Sequence, residues 1–489
     1  MSSDFLTPEW VHHAVFYQIF PDRFAINPTV RKPNSLEAWN TPPTPDGFKG
    51  GDLYGVADHL DYLQDLGVNA IYFTPIFQSA SNHRYHTHDY MRVDPMLGGD
   101  AAFKHLLKEA RRRNIKVILD GVFNHASRGF FQFNHILELG ERSPYFDWFR
   151  VYGFPMHAYE GKPNYACWWN LAALPQFNHS NPQVRQFIYD VARFWIDQGI
   201  DGWRLDVPFC VDDDSFWQGF RNVVKTANPE AYITGEIPDN AARWLQGDQF
   251  DGVMNYLFTY LVWGFMGGPG FDKSRIGHWI HHANAYLPAD AEGFAHQIQD
   301  LLNLYPLPAT LSQLNLLDSH DTARSLTIWN SNKELLRLAT LFQMSYPGAP
   351  SIYYGDEVGM EGSHDPDCRR AFLWDESNWD HDLRSYFKQL IQLRSQYRAL
   401  RDGDFSTLYA QGQVCVFKRS WQSDTLLVIL NRSKDTLHLD IQVDNALVSG
   451  TVFQNLIGPG QASVQNGVLT GLTLPPLTGA LLAPLHKNM

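Results

Sequence analysis

Short β-branched and aromatic runs alternate with amphipathic helical patterns along most of the chain, the signature of repeated βα units. Eight runs read as buried strands: AVFYQIF from Ala14, AIYFTPI from Ala70, KVILDGV from Lys116, GWRLDV from Gly202, AYITGEI from Ala231, GVMNY from Gly252, LNLLDS from Leu314 and SIYYGD from Ser351. Eight is the count that closes a (β/α)8 TIM barrel, so the pattern predicts an α/β fold of that kind. Between the first two runs, Val56, Leu60, Leu63 and Leu66 share one helical face and Gly67 supplies the stop, which predicts a single helix. Before the fourth run, Asn181 and Pro182 read as N-cap and first helical residue, and Val184, Phe187, Ile188, Val191 and Trp195 keep the helical period.

Two connections are too long for simple loops. The stretch 126–180, after the third strand, is rich in Phe, Tyr, Trp, Pro and Asn and reads as an inserted subdomain over the barrel mouth. The stretch Leu257 to Gln313 carries helical patterns such as EGFAHQIQDLLNLY. After Tyr397 the texture changes to alternating runs, VCVFKR and TLLVILNRS, which predict a C-terminal antiparallel β-sandwich. The expected division is a catalytic barrel from 1–125 and 181–400, a subdomain at 126–180 and a sandwich at 401–489.

Composition narrows the function. With 489 residues, 44% hydrophobic and 19% charged, the chain can bury a large core and is too poorly charged for disorder. The net charge of −13 leaves no electrostatic footprint for nucleic acid, and no apolar run approaches the length that spans a membrane. Fifteen Trp, 22 Tyr and 32 Phe supply flat faces that suit sugar rings, although most such residues fill cores. The opening MSSDFLTPEWVHHAVFY has no basic segment leading into an apolar one, so a cytoplasmic protein is expected. Cys167, Cys210, Cys368 and Cys415 are isolated in sequence and read as reduced thiols.

In such a barrel the chemistry sits at the C-terminal strand ends. Asp120 ends the third strand and His125 follows it; Arg204 and Asp206 end the fourth; Glu236 ends the fifth; His320 and Asp321 follow the seventh. Singly, a strand-end carboxylate can cap the next helix or pair with a nearby arginine. Several at one rim destabilise a fold and persist where chemistry uses them.

The motifs around these residues are more specific. DGVFNH at Asp120, GWRLD at Gly202, TGE at Thr234 and DSHD at Asp318 resemble, in order, the four signature segments of the α-amylase family of glycoside hydrolases. FYQIFPDRF at Phe16, LGVNAIYFTPIF at Leu66, NHRYHTHDY at Asn82, LPQFN at Leu174 and GAPSIYYGDEVGM at Gly348 extend the likeness over nearly the whole chain. DPDCRR at Asp365 and GVMNY at Gly252 resemble the neopullulanase, cyclomaltodextrinase and maltogenic amylase branch. The resemblance implies Asp206 as nucleophile, Glu236 as general acid and base, and Asp321 as stabiliser of the transition state. It implies that Tyr85 stacks on the cleaved glucose, that His125, Arg204 and His320 hold its hydroxyls, and that Asp365 and Arg369 bind the next sugar. Asp365 and Arg369 also read as a local surface ion pair. Arg204, two residues before Asp206, is expected to keep that carboxylate ionised, and Glu236 to have a raised pKa.

The likeness implies a retaining hydrolase of maltooligosaccharides, cyclodextrins, pullulan or branched glucans, with a glucosyl isomerase or transglycosylase, or a non-catalytic amylase-like binding protein, as alternatives. No cofactor is expected. Pro238 stands two residues after the acid where the branch usually has Trp, and His86 where it more often has Asp. The smaller Pro238 is expected to admit α-1,6 leaving groups, unless Trp168 or Trp169 refills the space. With the first strand near Ala14, the branch's N-terminal domain is missing, so a monomer or a homodimer by another interface is expected. INPTVRKPNS, from Ile26, has no carboxylate, leaving Asp52 as the main candidate ligand, so no calcium is expected there; Asn124 remains open as a ligand elsewhere.

Overall fold

The computed structural model describes residues 7–443 and 446–485. The first six residues, where the reading for a leader segment begins, and the last four of the C-terminal unit lie outside the described residues. Eight parallel strands form the barrel: Phe16–Ile19, Ala70–Phe73, Lys116–Gly121, Gly202–Leu205, Tyr232–Gly235, Gly252–Val253, Leu314–Leu316 and Ala349–Tyr353. They pair in sequence order, the first with the eighth as well as the second, and the eighth with the seventh. A single parallel bridge, Met254 to Leu314, closes the ring between the sixth and seventh. Nearly every strand residue is buried, as continuous apolar runs covered on both faces require. Gly202 is fixed by space: a Cβ there would lie 2.2 Å from the Tyr232 carbonyl oxygen on the neighbouring strand.

The helix before the fourth strand spans Pro182–Gln198. The Asn181 side chain accepts from Gln183 N, Val184, Ile188, Val191 and Trp195 form its buried stripe, and Gly199 ends it in the left-handed region. The helix expected after the first strand is two, Leu53–Asp58 and Leu60–Leu66. His59 causes the break. Its Nδ1 lies 2.7 Å from the Gly55 carbonyl, the acceptor its own backbone N–H would use in a continuous helix, and its ring lies 3.7 Å from that of Trp374.

Residues 126–180 carry the helix Phe131–Leu139 and four short bridges, among them His125 to Gln176 and Cys167 to Pro175, around a core of Phe130, Phe133, Phe149, Tyr165 and Phe177. The C-terminal strands, from Asp404–Gln411 to Thr478–Pro484, make an eight-stranded antiparallel sheet. Alternation divides its side chains. Cys415, Phe417, Val428 and Leu481 join the barrel core, while Val416, Leu427, Phe453, Val464 and Leu472 close a core of their own. Among the described residues no helix is long and apolar enough to cross a membrane.

Candidate active site

The strand ends and the loops beyond them surround a cleft of about 400 Å3. Seven of the nine residues singled out in the sequence line it: Tyr85, His125, Asp206, Glu236, Asp321, Asp365 and Arg369. Arg204 and His320 lie directly beneath, fully buried.

Arg204 organises the floor. Its Nη1 lies 2.9 Å from Asp120 Oδ2 and 3.2 Å from Asp206 Oδ1, and its Nη2 lies 2.8 Å from Glu236 Oε1. The strands supply this convergence: Leu205 pairs with Gly235, so Asp206 and Glu236 leave adjacent strands one step later. Val207 then takes a left-handed backbone, φ 37°, costly for a β-branched residue and tolerated mainly where the surroundings enforce it. That turn aims the Val207 N–H at Glu236 Oε2, 3.2 Å away.

Burial pushes Glu236 up to about 7, with Arg204 pulling it down and Asp321 adding to the rise. Burial also pushes Asp206 well above the carboxylate range, against Arg204 and with Glu236. The expectation that Arg204 keeps Asp206 ionised therefore needs correction. One guanidinium is shared among Asp120, Asp206 and Glu236, so the Asp206 and Glu236 pair retains a proton. Asp321 differs: burial works against its charge, but His320 and Arg369 outweigh it and hold the carboxylate below its usual range. Its Oδ2 is 3.1 Å from His320 Nε2 and its Oδ1 is 3.2 Å from Arg369 Nη2.

Burial lowers His125 and His320 to about 3, so both rings are neutral. The Gln18 amide lies 2.7 Å from His320 Nδ1, and the Tyr85 hydroxyl lies 2.7 Å from His320 Nε2 and donates to Asp120 at 2.9 Å. His125 Nε2 is buried without a hydrogen-bond partner among the described residues. Arg369 Nη1 lies 2.9 Å from Asp365, so the ion pair exists, and it faces the cleft.

Pro238, Trp168 and Trp169 line the same cleft, the two indoles stacked 4.5 Å apart. Among the lining residues that escaped the sequence reading are His278, Trp279 and His282, from the long stretch after the sixth strand. Trp279 Nε1–H donates to the Asp321 carbonyl at 2.8 Å, and His282 Nδ1 lies 3.0 Å from Asp239, next to Pro238. The one available signal was the aromatic and histidine run WIHH inside an otherwise helical pattern.

Neither candidate for a cation is free. Asp52 accepts from Asn27 N and Gly55 N, and the Lys32 ammonium lies 2.9 Å from its Oδ2. Asn124 Oδ1 accepts from the Gln176 amide at 3.0 Å.

Two carboxyls that retain a proton, a third held ionised and two neutral imidazoles suit acid and base work on a neutral, hydroxyl-rich substrate. The family model described as "Alpha amylase, catalytic domain" matches residues 18–399, and "Neopullulanase-like, C-terminal domain" matches residues 405–482. The chain belongs to the α-amylase family of glycoside hydrolases. It is 43% identical to neopullulanase 2 of Thermoactinomyces vulgaris, over 98% of this chain and 79% of that protein. The crystal structure of the debranching enzyme from Nostoc punctiforme is similar with a TM-score of 0.90 and 48% identity, over 98% of this chain and 99% of that one. Ligand-free cyclic α-maltosyl-(1→6)-maltose hydrolase from Arthrobacter globiformis is similar with a TM-score of 0.86 and 37% identity, over 98% and 100%.

Proposed function

We propose that this family member is a retaining α-glucan hydrolase that cleaves α-1,4 and α-1,6 glucosidic bonds in maltooligosaccharides, cyclodextrins, pullulan or branched glucans. The observation that carries the reading is the convergence of Asp206 and Glu236 on the two terminal nitrogens of Arg204. Carboxyls so close favour the retaining geometry, about 5–5.5 Å apart, over the wider spacing that leaves room for an inverting water.

Asp206 attacks the anomeric carbon and forms a glycosyl ester while Glu236 gives its proton to the departing oxygen. Water then opens the ester, its proton passing to Glu236 and the freed carboxylate returning to Asp206. The sequence balances without a cofactor. Asp321 stabilises the positive charge that develops on the sugar ring. Tyr85 stacks on that ring, His125, Arg204 and His320 hold its hydroxyls, and Asp365 with Arg369 holds the next sugar. His125 Nε2, with no hydrogen-bond partner among the described residues, supports this assignment, since the ring borders the cleft.

Activity on α-1,6 bonds is supported by Pro238, smaller than the aromatic it replaces, and by the structural neighbours named as a debranching enzyme and a (1→6)-linked maltosyl-maltose hydrolase. The stacked Trp168 and Trp169 line the same cleft, and the products from pullulan decide whether they refill the space beside Pro238. Four free cysteines support a cytoplasmic location. The working units remain 1–125 with 181–400, 126–180 and 401–489, in a monomer or a homodimer. Digestion of pullulan with separation of the products tests the reading. Maltotriose beside panose is expected; panose alone removes the α-1,6 activity, and no product from pullulan or maltooligosaccharides removes the proposal.

A further inference from the structure

Outside the cleft, a second cavity of about 420 Å3 opens between the loop after the first barrel strand and the loop after the eighth. Its volume falls in the roughly 300–1,000 Å3 range of small-molecule sites. Trp39 and Trp379 supply its aromatic walls, and Asn40, Glu361 and Asn378 its polar groups. The Trp39 Nε1–H donates to the Phe372 carbonyl at 2.8 Å and the Trp379 Nε1–H to the Leu373 carbonyl at 2.6 Å. Two consecutive carbonyls thus fix both indoles and use their only polar groups. What the half-exposed rings still offer is π-surface, rigid before any ligand arrives.

The polar side is as selective. Among the described residues nothing pairs with the half-buried Glu361 carboxylate or the Asn40 amide, so both are free to meet hydroxyl groups. The nearby cation is already spent: Arg370 holds both oxygens of Asp367, at 2.7 and 2.8 Å. An anionic ligand finds no free positive charge; a neutral polyhydroxylated one finds stacking faces, an amide and a carboxylate. The loop that forms one wall also carries Asp365 and Arg369 into the cleft, so one stretch of backbone borders both spaces.

We propose that this pocket is a second, non-catalytic α-glucan site, in which Trp39 and Trp379 stack on glucose rings while Glu361 and Asn40 bind their hydroxyls. It rests on the α-glucan reading above. It would hold a distant part of a long chain whose scissile bond lies in the cleft.

The test uses full-length Glu236→Gln protein, titrated and crystallised with maltotriose. Two binding events are expected, with sugar beside Trp39 and Trp379 as well as in the cleft, and adding Trp39→Ala should remove only the second event. One event, with sugar confined to the cleft, overturns the pocket and leaves the α-glucan reading standing; sugar at neither place overturns both. In the active enzyme, the Asn40→Ala, Glu361→Ala double variant should raise KM for amylose about tenfold through lost effective concentration, with kcat and KM for maltotriose unchanged. An unchanged KM for amylose, or an equal loss on both substrates, overturns the proposal.

Discussion

One guanidinium for three carboxyls decides how the site titrates. Arg204 touches Asp120, Asp206 and Glu236, and its single positive charge cannot hold all three ionised in a buried floor. A proton therefore stays at the catalytic pair into the neutral range, and the macroscopic constants belong to the pair rather than to either residue. As general acid, Glu236 works in its protonated form. With its pKa pushed up to about 7, activity is present below that pH and lost as pH rises through it. We expect kcat/KM to fall on an alkaline limb near 7 and again in acid, as the pair takes up a second proton and the nucleophile is lost. Glu236→Gln should lose about 10²–10⁴-fold in rate on a natural glucan and with it the alkaline limb; a limb that survives in folded variant protein would show that another group is the acid. Asp206→Asn should be inactive at every pH, because no ester can form, and near wild-type turnover by that variant would end the assignment.

Secondary-structure elements explain what was legible in the sequence and what was not. Barrel strands carry their own signature, continuous apolar runs ending in Asp, Glu or Arg, so Asp206, Glu236 and Asp321 could be placed at one rim from the pattern and the family motifs. Tyr85, His125, Asp365 and Arg369 lie on loops, and their motifs rather than any periodicity located them. His278, Trp279 and His282 had neither aid: the stretch from Leu257 reads as helix, and nothing in helical periodicity says which end turns toward the cleft. The helix broken at His59 was misread because its apolar face continues across the break, and the cause is a tertiary contact with Trp374. A loop residue also ties a helix to the barrel. His179, just before the helix Pro182–Gln198, is buried, with Nε2 2.8 Å from the Phe123 carbonyl and its ring against Phe216. Burial lowers it to about 4, so it stays neutral in the fold while in the unfolded chain it takes up a proton in the usual histidine range, near 6.5. Its contribution is therefore whole above about pH 6.5 and lost progressively toward 4, an effect of about 3 kcal/mol at most. The fall in Tm between pH 7 and 4.5 should be shallower in His179→Gln than in the parent, and identical slopes would contradict this account.

At the scale of the whole molecule, the C-terminal sheet completes the barrel's packing. Two buried arginines mark the join. Arg394 donates to the carbonyls of Met344 and Leu400 at 3.0 and 2.8 Å, and Arg419, from the second strand of the sheet, donates to Leu400 and Gly403 at 3.0 and 2.9 Å and also to Ser345. No carboxylate pairs with either among the described residues, and burial lowers both to about 9, still charged at neutral pH. Arg394 thus holds the last barrel helices to one another, while the Ser345 and Leu400 carbonyls receive a donor from across the boundary, through Arg419. Apolar packing follows the same line: Phe342 meets Phe417 at 5.7 Å, and Phe405 meets Tyr346 at 5.8 Å. Arg419→Met keeps much of the side-chain volume but withdraws donors from four carbonyls, those of Ser345, Leu400, Arg401 and Gly403, a loss of about 4 kcal/mol at roughly 1 kcal/mol each. We expect that variant to melt several degrees lower while its kcat on maltotriose at 25 °C stays near that of the parent, because the join lies away from the cleft. Ending the chain at residue 402 should do more, exposing the apolar face that Phe417, Val428 and Leu481 cover, and should yield insoluble protein. A soluble 1–402 barrel with the parent's melting temperature and activity would show instead that the barrel folds alone and that the sheet serves another purpose.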